Sequence, residues 1–299
     1  MEQRWPALSY NQGKATYETL HMWTQIMGKI KLESLPWMNH SWHVTLHSSA
    51  TGLTTHTLPY KDQTFQIDLD LIDHKLKVIT SRGELRQFEL PGLSVADFYN
   101  KLFQILRNLE IAVKINTKPV ELADPIRFEE DTRHKTYDVE QVTALHRSLL
   151  RMKEVFTQFR CNFKGKSSDV HFFWGSFDLA VSRFSGRRAP KHPGGIPNLA
   201  EWVAEEAYSH EVMSAGFWPG NETFPEAAFY CYLYPEPEGY KEAAIEPEEA
   251  YYHDSLREFI LPYKVVQQSD DPAGMLREFL NSTYKAGAAL AKWDREALE

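Results

Sequence analysis

Strand-like segments in this chain follow one another in runs, and long helix-like segments separate the runs. The predicted strands are 42–49, 53–58, 65–71, 76–80 and 85–90 in the first half and 170–174, 177–184, 208–215, 228–234 and 259–266 in the second. Apolar residues spaced by three and four predict four amphipathic helices, at residues 17–30, 95–109, 142–159 and 275–293. Parallel strands need a long crossover between them, so this order favours an α+β fold with mainly antiparallel sheets and flanking amphipathic helices. Neither a GxGxxG nor a P-loop pattern occurs, which argues against a doubly wound nucleotide-binding sheet.

Two of the helix starts carry capping residues. Ser94 is followed three residues later by Asp97, which predicts a reciprocal N-terminal cap. Asp271 precedes Pro272, a residue suited to the first turn of a helix.

The two halves of the chain share an order of elements. In each, a helix is followed by a Gly-Lys pair (Gly28-Lys29 and Gly165-Lys166), a Trp-bearing strand, further strands and another helix. This order is consistent with an internal duplication of an α-β-strands-α unit, although helix-terminal glycines also recur by chance. The predicted division is a first half at 1–137 and a second half at 138–299, packed as one compact unit.

Composition limits the classes of partner. The net charge is −8, and the only local basic cluster is 183–192, which argues against nucleic-acid binding. No apolar run approaches the ~20 residues of a membrane span, and the N-terminus lacks a signal-peptide pattern. Cys161 and Cys231 are far apart and are expected to be reduced and buried. These observations predict a cytoplasmic protein without a membrane or nucleic-acid partner; they indicate neither a cofactor nor an oligomeric state.

Two neighbouring segments of the second half, 169–188 and 205–220, have the pattern of β-strands but carry many ionisable residues. Charged side chains are rarely buried unless they are paired or used. The pattern therefore predicts a polar pocket built on a sheet. Alternation along the strands places Asp178 and Arg183 on opposite faces, and it predicts Glu206, Tyr208 and His210 on one face with Glu211 on the other.

Three functional hypotheses remain open at this stage. In the first, the pocket binds a small anionic organic molecule, with or without converting it. Two arginines, Arg183 and Arg187, would hold the anion. Aromatic rings would line the pocket, namely those of Trp174, Tyr208 and Trp218. Acid–base groups would orient the ligand or transfer protons, namely His171, Asp178, His210 and Glu211.

The second hypothesis is a zinc or non-haem iron enzyme that uses His171 and His210 as ligands. No tight ligand spacing accompanies these histidines. The third hypothesis is a structural or partner-binding protein in which the polar strand residues pair only with one another.

The chain also resembles a bacterial family catalogued as a domain of unknown function (number 5996). The matching stretches include 25–32, 39–43, 52–55, 183–187, His171-Phe-Phe-Trp-Gly-Ser-Phe-Asp178, Glu206-Ala-Tyr-Ser-His-Glu211 and Gly216-Phe-Trp-Pro-Gly220. The resemblance covers almost the whole chain and implies a single full-length unit. It implies no activity, substrate or catalytic residue.

Overall fold

Seven α-helices flank two sheets in the computed structural model, which describes residues 5–299. The helices are α1 (Tyr10–Ser34), α2 (Val95–Asn108), α3 (Val139–Cys161), α4 (Glu201–Ala207), α5 (Tyr263–Gln268), α6 (Pro272–Leu290) and α7 (Arg295–Leu298). The four helices predicted from apolar spacing correspond to α1, α2, α3 and α6. Their stripes are buried because each packs against a sheet or another helix.

Each sheet has six strands, and every strand pair is antiparallel, which confirms the α+β prediction. The first sheet contains β1 (His47–Ser48), β2 (Gly52–Thr54), β3 (Leu58–Tyr60), β4 (Gln63–Asp70), β5 (Lys75–Thr80) and β6 (Leu85–Glu89). The second contains β7 (His171–Phe173), β8 (Asp178–Arg188), β9 (His210–Trp218), β10 (Ala228–Tyr234), β11 (Tyr251–His253) and β12 (Glu258–Pro262). Its spatial order is β11-β12-β10-β9-β8-β7.

The cap predicted at Ser94 is confirmed, and α6 begins at Pro272 as predicted. The Ser94 hydroxyl accepts from the Asp97 backbone N–H at 3.1 Å, and the Asp97 carboxylate accepts from the Ser94 N–H at 3.0 Å. Asp271 caps α6 by accepting from the Gly274 N–H at 2.9 Å. Each cap satisfies a backbone donor that has no partner inside the helix.

Three local predictions were wrong. The expected strand at 42–49 is mostly a turn: backbone φ is +57° at both His40 and Ser41, and strand pairing begins only at Leu46, which bridges to Phe172. Residues 205–207 are helical and belong to α4, and the chain after Pro262 turns into α5. In all three places tertiary packing overrides a short apolar–polar alternation, which is a weak signal for a strand.

Gly28 does not end a helix, because α1 continues through it to Ser34. A side chain at Gly28 would collide with the indole of Trp174, so the glycine allows a close approach between α1 and the second sheet. Leu46 and Phe172 exchange two backbone hydrogen bonds of 2.9 Å and join the two sheets. The internal duplication and the division at 137/138 stay predictions.

The two faces of the second sheet differ in character. One face carries fully buried apolar side chains such as Leu179, Val181 and Phe229 and contacts α3 and α6. The other face carries Asp178, small residues and tyrosines. The strand alternation predicted for Asp178 and Arg183 is thus observed, and only the second face is available to a ligand.

No helix within residues 5–299 combines the length and the apolar character needed to cross a membrane. Cys231 is buried, as expected, whereas Cys161 at the end of α3 is exposed.

Candidate functional site

A cavity of about 550 Å³ lies over the polar face of the second sheet. Its floor is formed by β8, β9, β10 and the start of β12. Its walls come from the end of α1, the turn at 37–44, the loop around Glu121, and α4 with the loop before it. The volume is in the range of cavities that bind small organic molecules.

The centre of the floor depends on a glycine. In the strand register, Gly216 of β9 lies between Ala180 of β8 and Tyr230 of β10. The ring of Tyr230 crosses over Gly216, and its hydroxyl donates a short hydrogen bond to the Asp178 carboxyl. A Cβ atom at Gly216 would overlap the Tyr230 phenol, so the glycine makes this contact possible.

Three carboxyl groups line the cavity, and burial raises the pKa of each. The pKa of Asp178 rises to about 7, because desolvation outweighs the Tyr230 hydrogen bond and Glu121 adds repulsion. The pKa of Glu258 rises to about 8 through desolvation and the nearby Asp178 charge. Desolvation also raises the pKa of Glu121. Within the described chain, none of the three forms a salt bridge with a lysine, arginine or histidine.

Hydroxyl groups extend the polar floor beside the carboxyls. The hydroxyls of Tyr208 and Tyr232 lie 2.7 Å apart, and those of Ser182 and Ser214 lie 3.3 Å apart. Burial raises the pKa of both tyrosines, so these phenols are protonated at neutral pH. The floor therefore offers hydroxyl donors and acceptors next to acidic groups.

Glu121 is positioned by the backbone of its loop. The Gln25 side chain of α1 accepts from the Val120 N–H at 2.9 Å and donates to the Val120 carbonyl at 3.0 Å. Ser176 then donates to the Glu121 carboxylate at 2.6 Å. The Glu121 N–H donates to the Pro197 carbonyl at 2.8 Å, which ties this loop to the one before α4.

A histidine joins α4 to the turn after α1. The His40 backbone N–H donates to the Glu206 carboxylate at 2.8 Å, and His40 Nδ1 lies 2.9 Å from the Ala207 carbonyl. Lys166 Nζ lies 2.7 Å from Nε2, so Nδ1 is the nitrogen that donates and Nε2 accepts. Burial lowers the pKa of His40, which favours this neutral form.

Aromatic and aliphatic side chains form the upper walls. Trp174 donates from its indole N–H to the Val44 carbonyl at 2.8 Å, which holds its ring against the cavity. At the opening, the rings of Trp37 and Trp202 lie 4.9 Å apart, and they are 43% and 56% exposed. The cavity thus passes from an acidic floor to an apolar mouth.

Four of the residues predicted from the sequence lie on this cavity: Trp174, Asp178, Tyr208 and Trp218. Tyr208 arrives there at the end of α4 instead of on a strand. The other five, His171, Arg183, Arg187, His210 and Glu211, are not among the lining residues.

Arg183 lies on the opposite face of the sheet, in the core. Its guanidinium carbon is 3.5 Å from the ring centre of Phe159 and 4.4 Å from that of Tyr284. It also donates to the Phe159 carbonyl. Burial lowers its pKa to about 10, and the flanking rings compensate part of this desolvation.

Arg187 is paired outside the cavity. Its guanidinium donates to Glu211 at 2.7 Å and to the Ala291 carbonyl at 2.6 Å. The pair is half-exposed and ties β8 and β9 to the end of α6. The predicted anion clamp of Arg183 and Arg187 is therefore split between the core and the surface.

The two candidate metal ligands are also separated. His171 packs against Trp42 and His47, with ring centres 5.9 and 5.4 Å away, whereas His210 lies 5.9 Å from His40. In the part of the chain that the structure describes, no three His, Cys, Asp or Glu side chains are arranged to hold a metal ion.

Sequence reasoning missed Glu121, Glu258, Tyr230 and Tyr232. The two tyrosines had a signal, since they occupy alternate positions of a strand predicted at 228–234 and so had to share a face. Glu258 stands one residue before the predicted strand start, and Glu121 lies in a loop without periodicity. For these two, only the fold reveals the location.

The architecture and site define an α+β protein with a carboxyl-rich, aromatic-walled cavity on one of two antiparallel sheets. The chain belongs to a family of unknown function, DUF5996, whose family model matches residues 5–299. No curated protein and no solved structure matches the chain.

Proposed function

We propose that the cavity binds a small organic cation, with a protonated amine at the acidic floor and an apolar body against the aromatic walls. The observation that carries this proposal is that two carboxyls on one cavity, Asp178 and Glu258, are desolvated and lack an ion-pair partner among the described residues. The raised pKa values express the cost of ionising these carboxyls without a partner, and a bound ammonium group would offset that cost.

The groups around the two carboxyls suit an ammonium ion. Tyr230 already satisfies one oxygen of Asp178, which leaves the remaining acceptor capacity to a ligand. The rings of Trp218, Tyr230 and Tyr232 lie along the same floor and can contribute cation–π attraction.

The charge of the ligand proposed here differs from the anion expected from the sequence. That expectation depended on Arg183 and Arg187, and both lie away from the cavity. Lys29 is the single Lys or Arg that lines the cavity in the described residues, and its ammonium donates to the Lys118 carbonyl at 2.8 Å. Acidic groups therefore outnumber available cations around the ligand space.

The first experiment compares ligands that share a body but differ in charge. Isothermal titration calorimetry would be run with a phenylpropyl amine, the matching alcohol and the matching carboxylate. We expect the amine to bind best and the carboxylate worst. Carboxylate binding equal to or tighter than amine binding would overturn the proposal.

Substitution of the cavity carboxyls tests where the ammonium group binds. Asp178→Asn and Glu258→Gln should each weaken amine binding about tenfold or more, since a charge-assisted contact is lost. Glu211→Gln, which removes a carboxylate outside the cavity, is the matched control and should bind like the wild type. Equal loss in all three variants would point to a nonspecific charge effect.

The pH dependence gives a separate test. A quaternary ammonium probe keeps its charge at all pH values, so only the protein titrates. Affinity should rise between about pH 6 and about pH 9, as the two carboxyls ionise through their raised pKa values. A flat profile would contradict a role for these groups.

A further inference from the structure

We infer that the mouth of the cavity binds the apolar chain of the same ligand, so that the ligand class is an amphiphilic amine with an alkyl or arylalkyl chain. This inference rests on the cation binding proposed above. It adds a specificity element, the mouth, which consists of Trp37 and Trp202 with Leu32 beside them.

The mouth and the acidic floor are two ends of one space. At the floor, Asp178 and Tyr230 are only 7% and 8% exposed, whereas Trp37, Trp202 and Leu32 at the mouth are 43%, 56% and 37% exposed. All five line the same cavity. A ligand with its amine at Asp178 would therefore extend its other end towards the tryptophans.

The rest of the cavity lining is largely apolar. Its side chains include Val44, Val120, Phe173, Ile196, Leu199 and Val203. The apolar side chains offer a polar chain no hydrogen-bond partners, but they remove methylene groups from water at a gain of about 0.8 kcal/mol each.

Hydrogen bonds between loops hold this apolar lining in shape. The Pro197 carbonyl accepts from the Glu121 N–H at 2.8 Å, and the Asn198 side chain donates to the Leu122 carbonyl at 2.6 Å. The wall formed by Ile196 and Leu199 is thereby joined to the loop that carries Glu121. A preformed wall lowers the entropy cost of binding a flexible chain.

The exposed tryptophans continue the surface of the cavity, and this indicates which molecule covers them. Trp37 packs its ring against Trp202 at 4.9 Å and against His43 at 4.7 Å, and both tryptophans leave large apolar surface in water. Because this surface continues inward to the unpaired carboxyls, one molecule with a cationic head and an apolar chain covers both.

The test uses straight-chain primary amines from ethylamine to octylamine, titrated into the full chain, with the matching alcohols in parallel. We expect affinity for the amines to rise by up to about fourfold per methylene, equivalent to about 0.8 kcal/mol, and then to level off once the chain passes the mouth.

Trp202→Ala and Trp37→Ala should reduce the gain per methylene for the longer amines. Leu85→Ala is the matched control, because Leu85 is 50% exposed on β6 of the other sheet, and its chain-length profile should match that of the wild type.

The outcomes separate the two proposals. If amines bind better than alcohols but their affinity does not rise with chain length, the proposed role of the mouth is overturned and the cation site remains supported. Alcohols that bind as well as amines would overturn the amine class. Sedimentation of the wild type and of the tryptophan variants completes the test. A wild-type dimer that the variants lose, together with an unchanged chain-length profile, would assign the mouth to a second copy and overturn the inference.

Discussion

The phenol of Tyr230 donates a hydrogen bond to the buried carboxyl of Asp178 from two strands away. The intervening strand contributes Gly216, whose missing side chain leaves the path open. This contact places a carboxyl with a raised pKa at the centre of a polar sheet face. The centre of the floor is therefore built by β8, β9 and β10 together.

Gly216→Ala should destabilise the protein by about 1–3 kcal/mol, because the added methyl overlaps the Tyr230 ring and the Leu179 carbonyl. Urea unfolding would measure the loss. The same substitution in a Tyr230→Ala background should cost less, since one of the two obstacles is gone. Equal costs in both backgrounds would contradict the crossing of Tyr230 over Gly216.

Asp178→Asn should change how stability depends on pH. The folded-state pKa of Asp178 is about 7, above its unfolded value. Its stabilising contribution to the free energy of unfolding is therefore fully present below about pH 4 and is lost as the pH rises through 7. Relative to wild type, the variant should gain up to roughly 4 kcal/mol between about pH 4 and about pH 8. Unfolding curves across this range measure the difference, and Ser182→Ala, which removes an uncharged group from the same floor, should parallel the wild type.

Buried histidines should make the protein sensitive to acid. Desolvation lowers the pKa of His47 to about 3 and that of His171 to about 4, below their unfolded value. Their stabilising contribution is present above about pH 6.5 and is lost as the pH falls towards these values, by roughly 2 kcal/mol per group at about pH 5. His171→Gln should therefore show a shallower loss than wild type between about pH 7 and about pH 5. Parallel unfolding curves would argue against a buried neutral imidazole.

Arg183 should affect stability and not ligand affinity, because its guanidinium lies on the core face between Phe159 and Tyr284. Arg183→Lys should cost roughly 2 kcal/mol or more, since an ammonium is more strongly hydrated and cannot stack on the rings. Arg183→Met should cost less than Arg183→Lys, because it buries no charge. Thermal unfolding ranks the two variants, and amine titration should give wild-type affinity for Arg183→Met. A large affinity loss with an unchanged melting temperature would restore a direct ligand role.

The helices could be predicted well because their signals are local. The stripe on α3 repeats over many turns, and the caps at Ser94 and Asp271 need only residues three positions apart. The site could be predicted only in part. Alternation along β8 placed Asp178 correctly relative to Arg183, but it contained no information on which sheet face would remain open.

The chain by itself determined the α+β class, the four long helices and the two faces of β8, because these follow from periodicity and capping between near neighbours in sequence. Only the tertiary structure decided that Glu121, Asp178 and Glu258 share one cavity and that Arg183 lies in the core. Strand order places Glu258 of β12 and Asp178 of β8 in one sheet, under the same cavity, and the Gln25 clamp on Val120 brings Glu121 to that cavity. Such contacts between distant segments set the desolvation and mutual repulsion of the carboxyls, and these determine what the site can bind.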